Sequence, residues 1–371
     1  MGHYIQAESV RWYNACAYYA VTLARGLAAC GHRVTVAGDK GTPVLEKARE
    51  WGIDCLCGTN SKSFNPLRYM DNIRRYRKYA LDNDVTLVNA HNGRDHLTWA
   101  LALRGTGIPL VRTSGNRIPP KNHIGARYLI RKTDGIIATC DRVRSYYADS
   151  FGIDRSAIPS INGGVDSSFF FPDYTSGVTR ESFGIPRDSY VFGIIGRYSL
   201  VKGHRYFFDA AGIIAQKFPD VWFVVSGWDA DMSGEDVRKI AEEADVADRT
   251  IFIERQHDIR GLIGMLDAGV IASVGSETVC RIALEYMAMG IPVIATDTNV
   301  IPEVIRHGES GIIVPPCSGE AMAAAMEQLL QSQDNGRVMG RLGRTIVEKE
   351  YTLDSFAAQT LASYKRFSEN G

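Results

Sequence analysis

The sequence predicts an α/β protein of two doubly wound parallel sheets, one in each of two domains, with a cleft between the domains. Three observations carry that expectation. Short apolar runs of strand length alternate with amphipathic stretches of helical period along the chain. The alternation stops between Asn162 and Pro186, in irregular Gly-, Ser- and Pro-rich sequence, and then restarts. At 371 residues the chain exceeds one ordinary core and suits two.

The first half opens on a weak strand at Tyr4–Ala7. A helix follows over Ala15–Cys30, where Ala20, Leu23, Ala24 and Leu27 recur at helical spacing until Gly31 ends it. Arg33–Ala37 reads as a strand, Pro43–Trp51 as a helix, and the stretch around Cys55 as another strand. A basic, tyrosine-bearing helix at Leu67–Leu81 precedes strands at Thr86–Ala90, Leu110–Thr113 and Gly135–Ala138. The second half repeats the scheme. Strands are expected at Val191–Ile195, Trp222–Ser226, Thr250–Ile253, Gly269–Ala272 and Pro292–Ala295. Helices are expected at Arg205–Lys217, Gly234–Ala244, Ile259–Leu266, Val279–Met289 and from Gly319 onward. The expected division is an N-terminal domain over 1–168, a hinge over 169–188, a C-terminal domain over 189–350, and a last helix over 351–371 crossing back to the first. In open sheets of this kind ligands sit beyond the carboxyl ends of the strands.

Composition narrows the class. Hydrophobic residues at 45% and charged residues at 23% describe a globular enzyme, not a disordered or fibrous chain. No apolar run reaches the roughly 18 residues that span a bilayer, and Met1–Ile5 lacks the pattern of a secretory signal. The seven cysteines are scattered, and Cys55 and Cys57 stand too close for a zinc knuckle or redox pair. Reduced thiols in a cytoplasmic protein are expected. The net charge is zero, yet residues 62–132 hold fourteen lysines and arginines against four aspartates. That asymmetry points to an anionic partner for one half.

Two constellations carry chemistry. In Ser276-Glu277-Thr278-Val279-Cys280-Arg281-Ile282-Ala283-Leu284-Glu285, Glu277 follows a strand and Glu285 lies in the next helix. The amides of Thr278 and Val279 then fall near a helix N-terminus, where unpaired N–H groups favour anions. The plain alternative is a helix cap and a solvated glutamate, although an unpaired acid beside Met287, Ala288 and Met289 would be costly. Gly196-Arg197-Tyr198-Ser199-Leu200-Val201-Lys202-Gly203 also joins a strand to a helix. Arg offers phosphate a bidentate fork and Lys a mobile point charge. The alternative there is a surface loop with solvated cations.

These motifs resemble the donor domain of retaining glycosyltransferases with two Rossmann-like domains, the GT-B type, and specifically family 4. The marks are Glu-x7-Glu at Glu277 and Glu285, Arg-x4-Lys-Gly at Arg197 and Lys202-Gly203, and the run Ala288-Met289-Gly290-Ile291-Pro292-Val293-Ile294-Ala295-Thr296. Pro302-Glu303 and Gly308–Pro315 match the downstream pattern. The resemblance implies that Gly196, Arg197 and Lys202 bind a diphosphate, with Ser276 and the amides of Thr278 and Val279 completing that site. It implies that Glu285 holds the ribose and Glu277 the donor sugar. Asn89-Ala90-His91 resembles the strand-end histidine facing the donor sugar, which places His91 with Glu277 among the catalytic candidates; the alternative is a structural histidine.

Departures from the pattern fall in the first half. Arg11-Trp12-Tyr13-Asn14-Ala15 stands where a glycine pair is expected, making Tyr13 and Asn14 candidates for the site. Thr113-Ser114-Gly115-Asn116 lacks a histidine often found there. Asp229-Ala230-Asp231 spells a metal-binding signature of the other glycosyltransferase architecture, but it follows a donor-domain strand and reads as a surface loop. The expectation is therefore no metal and no cofactor beyond the substrate, a UDP-, GDP- or ADP-type sugar. The resemblance implies transfer with retention to a saccharide or lipid-linked acceptor, in cell-surface glycan or lipopolysaccharide synthesis, with no nucleic-acid partner. Arg68, Arg74, Arg75, Arg77 and Lys78, interleaved with Tyr69, Tyr76 and Tyr79, offer a surface for anionic membrane on the inner face, or a merely solvated one. A GT-B-like epimerase or phosphorylase and a non-catalytic nucleotide-sugar binder are the competing readings.

Overall fold

The computed structural model describes residues 1–58, 66–256, 258–275 and 277–369. The chain divides into two compact units, Met1–Gly164 with Thr352–Gly371, and Val165–Tyr351.

The first unit holds β1 (His3–Ala7), α1 (Ala15–Ala29), β2 (Arg33–Asp39), α2 (Pro43–Glu50), β3 (Asp54–Gly58), α3 (Pro66–Asp82), β4 (Leu87–Ala90), α4 (Gly93–Ala102), β5 (Leu110–Ser114), α5 (Ile124–Arg131), β6 (Gly135–Ala138) and α6 (Asp141–Phe151). Its six strands are parallel in the order β3-β2-β1-β4-β5-β6. Chain order therefore reverses between β1 and β4, which are hydrogen-bonded neighbours with Ala7 opposite Ala90. The core gathers Ile5, Val88, Leu110 and Trp99, the last stacked on Tyr76 with ring centroids 4.7 Å apart.

The second unit holds β7 (Tyr190–Ile195), α7 (His204–Lys217), β8 (Val221–Gly227), α8 (Gly234–Glu243), β9 (Thr250–Glu254), α9 (Arg260–Gly264), β10 (Ala268–Ile271), α10 (Arg281–Ala288), β11 (Val293–Thr296), α11 (Ile301–Val304), β12 (Gly311–Val314), α12 (Gly319–Gln331) and α13 (Gln333–Glu350). Its parallel sheet runs β12-β11-β10-β7-β8-β9, so the reversal falls between β7 and β10. A core of Phe192, Phe207, Phe208 and Phe223 fills the space between sheet and helices. The last helix, α14 (Leu353–Glu369), belongs to the first unit, where its Leu353 carbonyl lies so close to Gly26 of α1 that a Cβ on that glycine would stand 2.8 Å away.

The two doubly wound parallel sheets are those the sequence predicts, and the strands fall within a residue or two of expectation. The structure adds α4, α5, α6, α11 and β12, and it divides the helical stretch after Gly319 into three helices. Within α3, Tyr76 is 3% exposed, Ile73 is buried, and Tyr69 and Tyr79 are half-buried against the core. The expectation that these tyrosines alternate with cations on an outer face is thus corrected. Helical period turns the aromatic stripe inward and leaves Arg68, Arg74, Arg75 and Lys78 outside.

Candidate functional site

In open parallel sheets, the place where chain order reverses leaves a crevice at the strands' carboxyl ends. Both units put their sequence-predicted residues there. In the second unit, Gly196 and Arg197 follow β7, and Glu277 follows β10 by a short loop. Gly203 explains how the two loops meet. Its φ is 71°, and a Cβ there would stand 2.0 Å from the Ala272 carbonyl oxygen, so only glycine allows this approach. Lys202 is thereby carried to Glu277, and its ammonium pairs with Glu277 Oε1. Ser273 Oγ donates to the same oxygen at 2.6 Å.

Glu277 is 4% exposed. Burial alone would raise its pKa, but the charge and hydrogen bond of Lys202, the Ser273 hydroxyl and the charge of Arg197 outweigh it and hold the carboxyl below its usual range. Beside Lys202, the buried His204 imidazole stays neutral. Burial, assisted by the lysine's charge, lowers its pKa to about 4.

Glu285 sits within α10 at 1% exposure, with Arg281 Nε 2.5 Å from its Oε1. Burial raises its pKa, and Arg281 opposes the rise in part. The buried glutamate therefore has a partner, which its i,i+4 spacing to an arginine could have announced. The helix begins at Arg281, two residues later than expected, because the Arg281 N–H turns back to the Val279 carbonyl at 2.9 Å. The amides of Thr278 and Val279 thus precede the helix instead of lying in its first turn. Ser276 lies outside the described residues. Gly196 has open space on its Cβ side, and Arg197 is exposed.

Asp229 and Asp231 are both exposed, in the loop after β8. Asp229 Oδ1 accepts the Gly234 N–H at 2.8 Å, and Asp231 Oδ2 accepts the Leu200 N–H at 3.4 Å. Among the described residues, no three His, Cys, Asp or Glu side chains gather as a metal-ligand group.

The first unit has a pocket of about 380 Å³ at its own reversal point, lined by Glu8, Arg11, Trp12, Asn14, Cys16, His91, Arg94 and Asn116 among others. His91 immediately follows β4, and Glu8 immediately follows β1. A chain of amides fixes the histidine's tautomer. The Thr113 N–H donates to Asn89 Oδ1 at 3.1 Å, turning the Asn89 NH2 toward Gln6 Oε1 and the Tyr364 hydroxyl at 3.2 and 2.8 Å. Gln6 Oε1 then faces His91 Nε2 at 2.9 Å, so Nε2 carries the proton and Nδ1 the lone pair. Burial, with the charge of Arg112 adding to it, lowers the His91 pKa to about 3 and keeps the ring neutral.

Asn14 caps α1, accepting the Ala17 N–H at 2.9 Å, and also lines the pocket. Tyr13 is half-buried and absent from that lining. Sequence reasoning overlooked Glu8, Gln6, Arg281 and Ser273. Only the position of Glu8 and Ser273 just beyond strand ends could have flagged those two.

Residues 177–345 match the family described as Glycosyl transferases group 1, and residues 17–169 match Glycosyltransferase Family 4. The D-inositol 3-phosphate glycosyltransferase of Mycobacterium tuberculosis (strain H37Rv) is 26% identical over 282 residues, covering 72% of this chain and 57% of that protein. The chain thus spans little more than half the length of the curated relatives it matches. A glycosyltransferase from Rickettsia africae ESF-5 shares the fold with a TM-score of 0.88 at 19% identity, covering 100% of this chain and 99% of that one. Anabaena Alr3699/HepE, solved with UDP and glucose, gives 0.83 at 17% identity over 99% and 100% of the two chains. Family matches fall on both units, and the paired reversal points bear the motifs: the chain belongs to the GT-B glycosyltransferases of the group 1/family 4-like kind.

Proposed function

We propose that the chain is a retaining glycosyltransferase whose second unit binds a nucleoside diphosphate sugar and whose first unit binds a saccharide or lipid-linked acceptor. The observation that carries this reading is the Lys202–Glu277 pair at the β7/β10 reversal, with Arg197 at the head of the same loop. A diphosphate arriving there meets a guanidinium fork and an ammonium, and both stabilise the charge that develops as it leaves. They supply the positive charge a metal would otherwise bring, so the reaction is read as metal-independent and cofactor-free. Glu277, held ionised, is a poor proton donor near neutrality; its role is to accept hydroxyls of the donor sugar. Glu285, with Arg281, takes the ribose hydroxyls. Retention follows a front-face course: the acceptor hydroxyl joins the anomeric carbon on the side the diphosphate leaves, and its proton passes to the departing phosphate.

The HepE complex with UDP and glucose makes UDP-glucose the first donor to try, with GDP- and ADP-sugars beside it. The mycobacterial relative's name adds an inositol phosphate to the acceptor panel. A setting in cell-surface glycan or lipopolysaccharide synthesis is supported by α5, none of whose residues is buried. Ile118, Ile124 and Tyr128 are 66%, 88% and 58% exposed among the exposed cations Arg117, Lys121, Arg127, Arg131 and Lys132. That mixture suits peripheral contact with an anionic membrane. No helix among the described residues is long and apolar enough to cross one.

The test is transfer from labelled UDP-, GDP- and ADP-sugars in the presence of EDTA, with the product's anomeric configuration read by NMR. Retained configuration is expected. Inversion, or activity abolished by EDTA, would overturn the respective part of the reading.

A further inference from the structure

Glu277 lies in neither strand nor helix, so its position depends on what holds the chain between β10 and α10. The turn after β11 holds it at three carbonyl groups. The Ser273 carbonyl accepts two hydroxyls, Thr296 Oγ1 at 2.5 Å and Thr298 Oγ1 at 3.1 Å. Its two lone pairs have room for both. Asn299 then enters the left-handed region with φ of 51°, a conformation asparagine tolerates better than most residues. Its Nδ2 donates to the Gly275 carbonyl at 3.3 Å, and the Val300 N–H that follows donates to the Glu277 carbonyl at 3.1 Å.

These contacts reach the Glu277 side chain as well as its backbone. Ser273, pinned at its carbonyl, gives its own hydroxyl to Glu277 Oε1 at 2.6 Å, the oxygen that Lys202 also engages. Ser273, Thr296 and Thr298 are all buried, at 0%, 1% and 6% exposure. A hydroxyl lost there has no bulk water beside it to take over its bond. Thr298 lies beyond the end of β11, so the ladder that holds Thr296 does not fix it; its hydroxyl bonds to Ser273 and, at 3.4 Å, to Thr296.

We propose that Thr298 is a positioning residue for sugar transfer: its hydroxyl fixes Ser273, and Ser273 in turn aims the Glu277 carboxylate at the donor sugar. The proposal rests on reading Glu277 as a ligand of that sugar, and its test separates the two. A displacement of about 1 Å near the reacting atoms can cost on the order of a hundredfold in rate. Thr298→Val keeps the shape and removes the hydroxyl, and kcat for transfer should fall about tenfold. Affinity for the nucleoside diphosphate, which lacks the sugar, should stay as in the wild type. Thr298→Ser restores the hydroxyl and should recover most of the lost rate. Carboxyl 13C NMR of glutamate-labelled protein, with the Glu277 signal assigned by its loss in Glu277→Gln, gives a readout independent of activity. Its titration should move upward in Thr298→Val, as the Ser273 hydroxyl loosens, and return in Thr298→Ser. Thr296→Val removes the other hydroxyl on the same carbonyl, at a strand position where valine is favoured. It should show the same losses, and it serves if Thr298→Val does not fold; melting temperatures check both. Wild-type kcat and wild-type Glu277 titration in the folded valine variants would overturn the proposal. So would a loss that Thr298→Ser shares in full. If the wild type transfers no sugar from any nucleotide donor, the donor reading fails instead, and the Glu277 titration alone decides whether Thr298 positions it.

Discussion

At the β7/β10 reversal each buried glutamate has a cation of its own, Lys202 for Glu277 and Arg281 for Glu285. At the β1/β4 reversal Glu8 and Asp95 share the amide of Asn92, and the charge of Arg112 acts on Glu8 only through space. The same crevice in the same strand order therefore holds its strand-end acid differently, Glu277 below its usual pKa and Glu8 above it. At the β7/β10 reversal Lys202 pairs directly with Glu277 and keeps it charged; on the proposed reading, an arriving diphosphate exchanges places with it as partner to Lys202. At the β1/β4 reversal no cation pairs directly with Glu8, and burial carries it toward neutrality. Strand order sets where each site lies, and a few side chains set what it binds.

The largest effect should come from breaking the charged side. Lys202→Ala removes the cation proposed to stabilise the leaving group, and kcat should fall by about 10²–10³ in a single-turnover assay with saturating donor. A loss below tenfold would detach Lys202 from the chemistry. The β1/β4 side should respond to pH instead. Glu8 has its pKa raised from 4.5 to about 7, so the folded state holds this proton more tightly than the unfolded chain does. The resulting stability is fully present below the lower value and lost as pH rises through the higher one. At 1.36 kcal/mol per pKa unit, Glu8→Gln should gain on the order of 2–3 kcal/mol relative to wild type between pH 5 and pH 8. Parallel urea titrations at the two pH values measure this, and a constant difference would show that Glu8 titrates normally.

Two smaller tests sharpen the contrast. Glu285→Ala should weaken nucleotide binding by about tenfold while sparing free sugars, since one charge-assisted bond is lost. Unchanged nucleotide affinity would end the ribose assignment. Tyr364→Phe strips the hydroxyl that accepts from both Gln6 and Asn89. It should cost about 1 kcal/mol of stability, and nitrogen NMR of His91 should show its Nε2–H tautomer less firmly held. An unaltered His91 signal would mean that Gln6 keeps its orientation without Tyr364.

The charged site was the more legible in sequence because its parts are local. Arg197 and Lys202 share one loop, Glu277 and Glu285 one loop-helix unit, and both follow apolar strands that announce themselves as runs of Val, Ile and Ala. The meeting of the two loops was not legible. It depends on the backbone of Gly203 lying against Ala272, a contact between distant segments. The first unit's pocket brings together Glu8 and His91, whose significance appears only once β1 and β4 are neighbours. Its tautomer depends on Tyr364, in a helix almost the length of the chain away from Gln6. The helix α4 escaped notice for a related reason: its buried face rests on Trp99, His96 and Thr98 instead of an aliphatic stripe. Likewise, α5 has no buried residue to give it an inward period.

The central claim is that the cations of the β7/β10 reversal hold a nucleoside diphosphate. Titrating UDP, GDP and ADP into the wild type and into Lys202→Ala by calorimetry tests it directly. One of the three should bind the wild type and lose at least about tenfold in affinity in the variant, as expected for a lost charge-assisted contact. Binding of none, or equal binding to both proteins, would contradict the account.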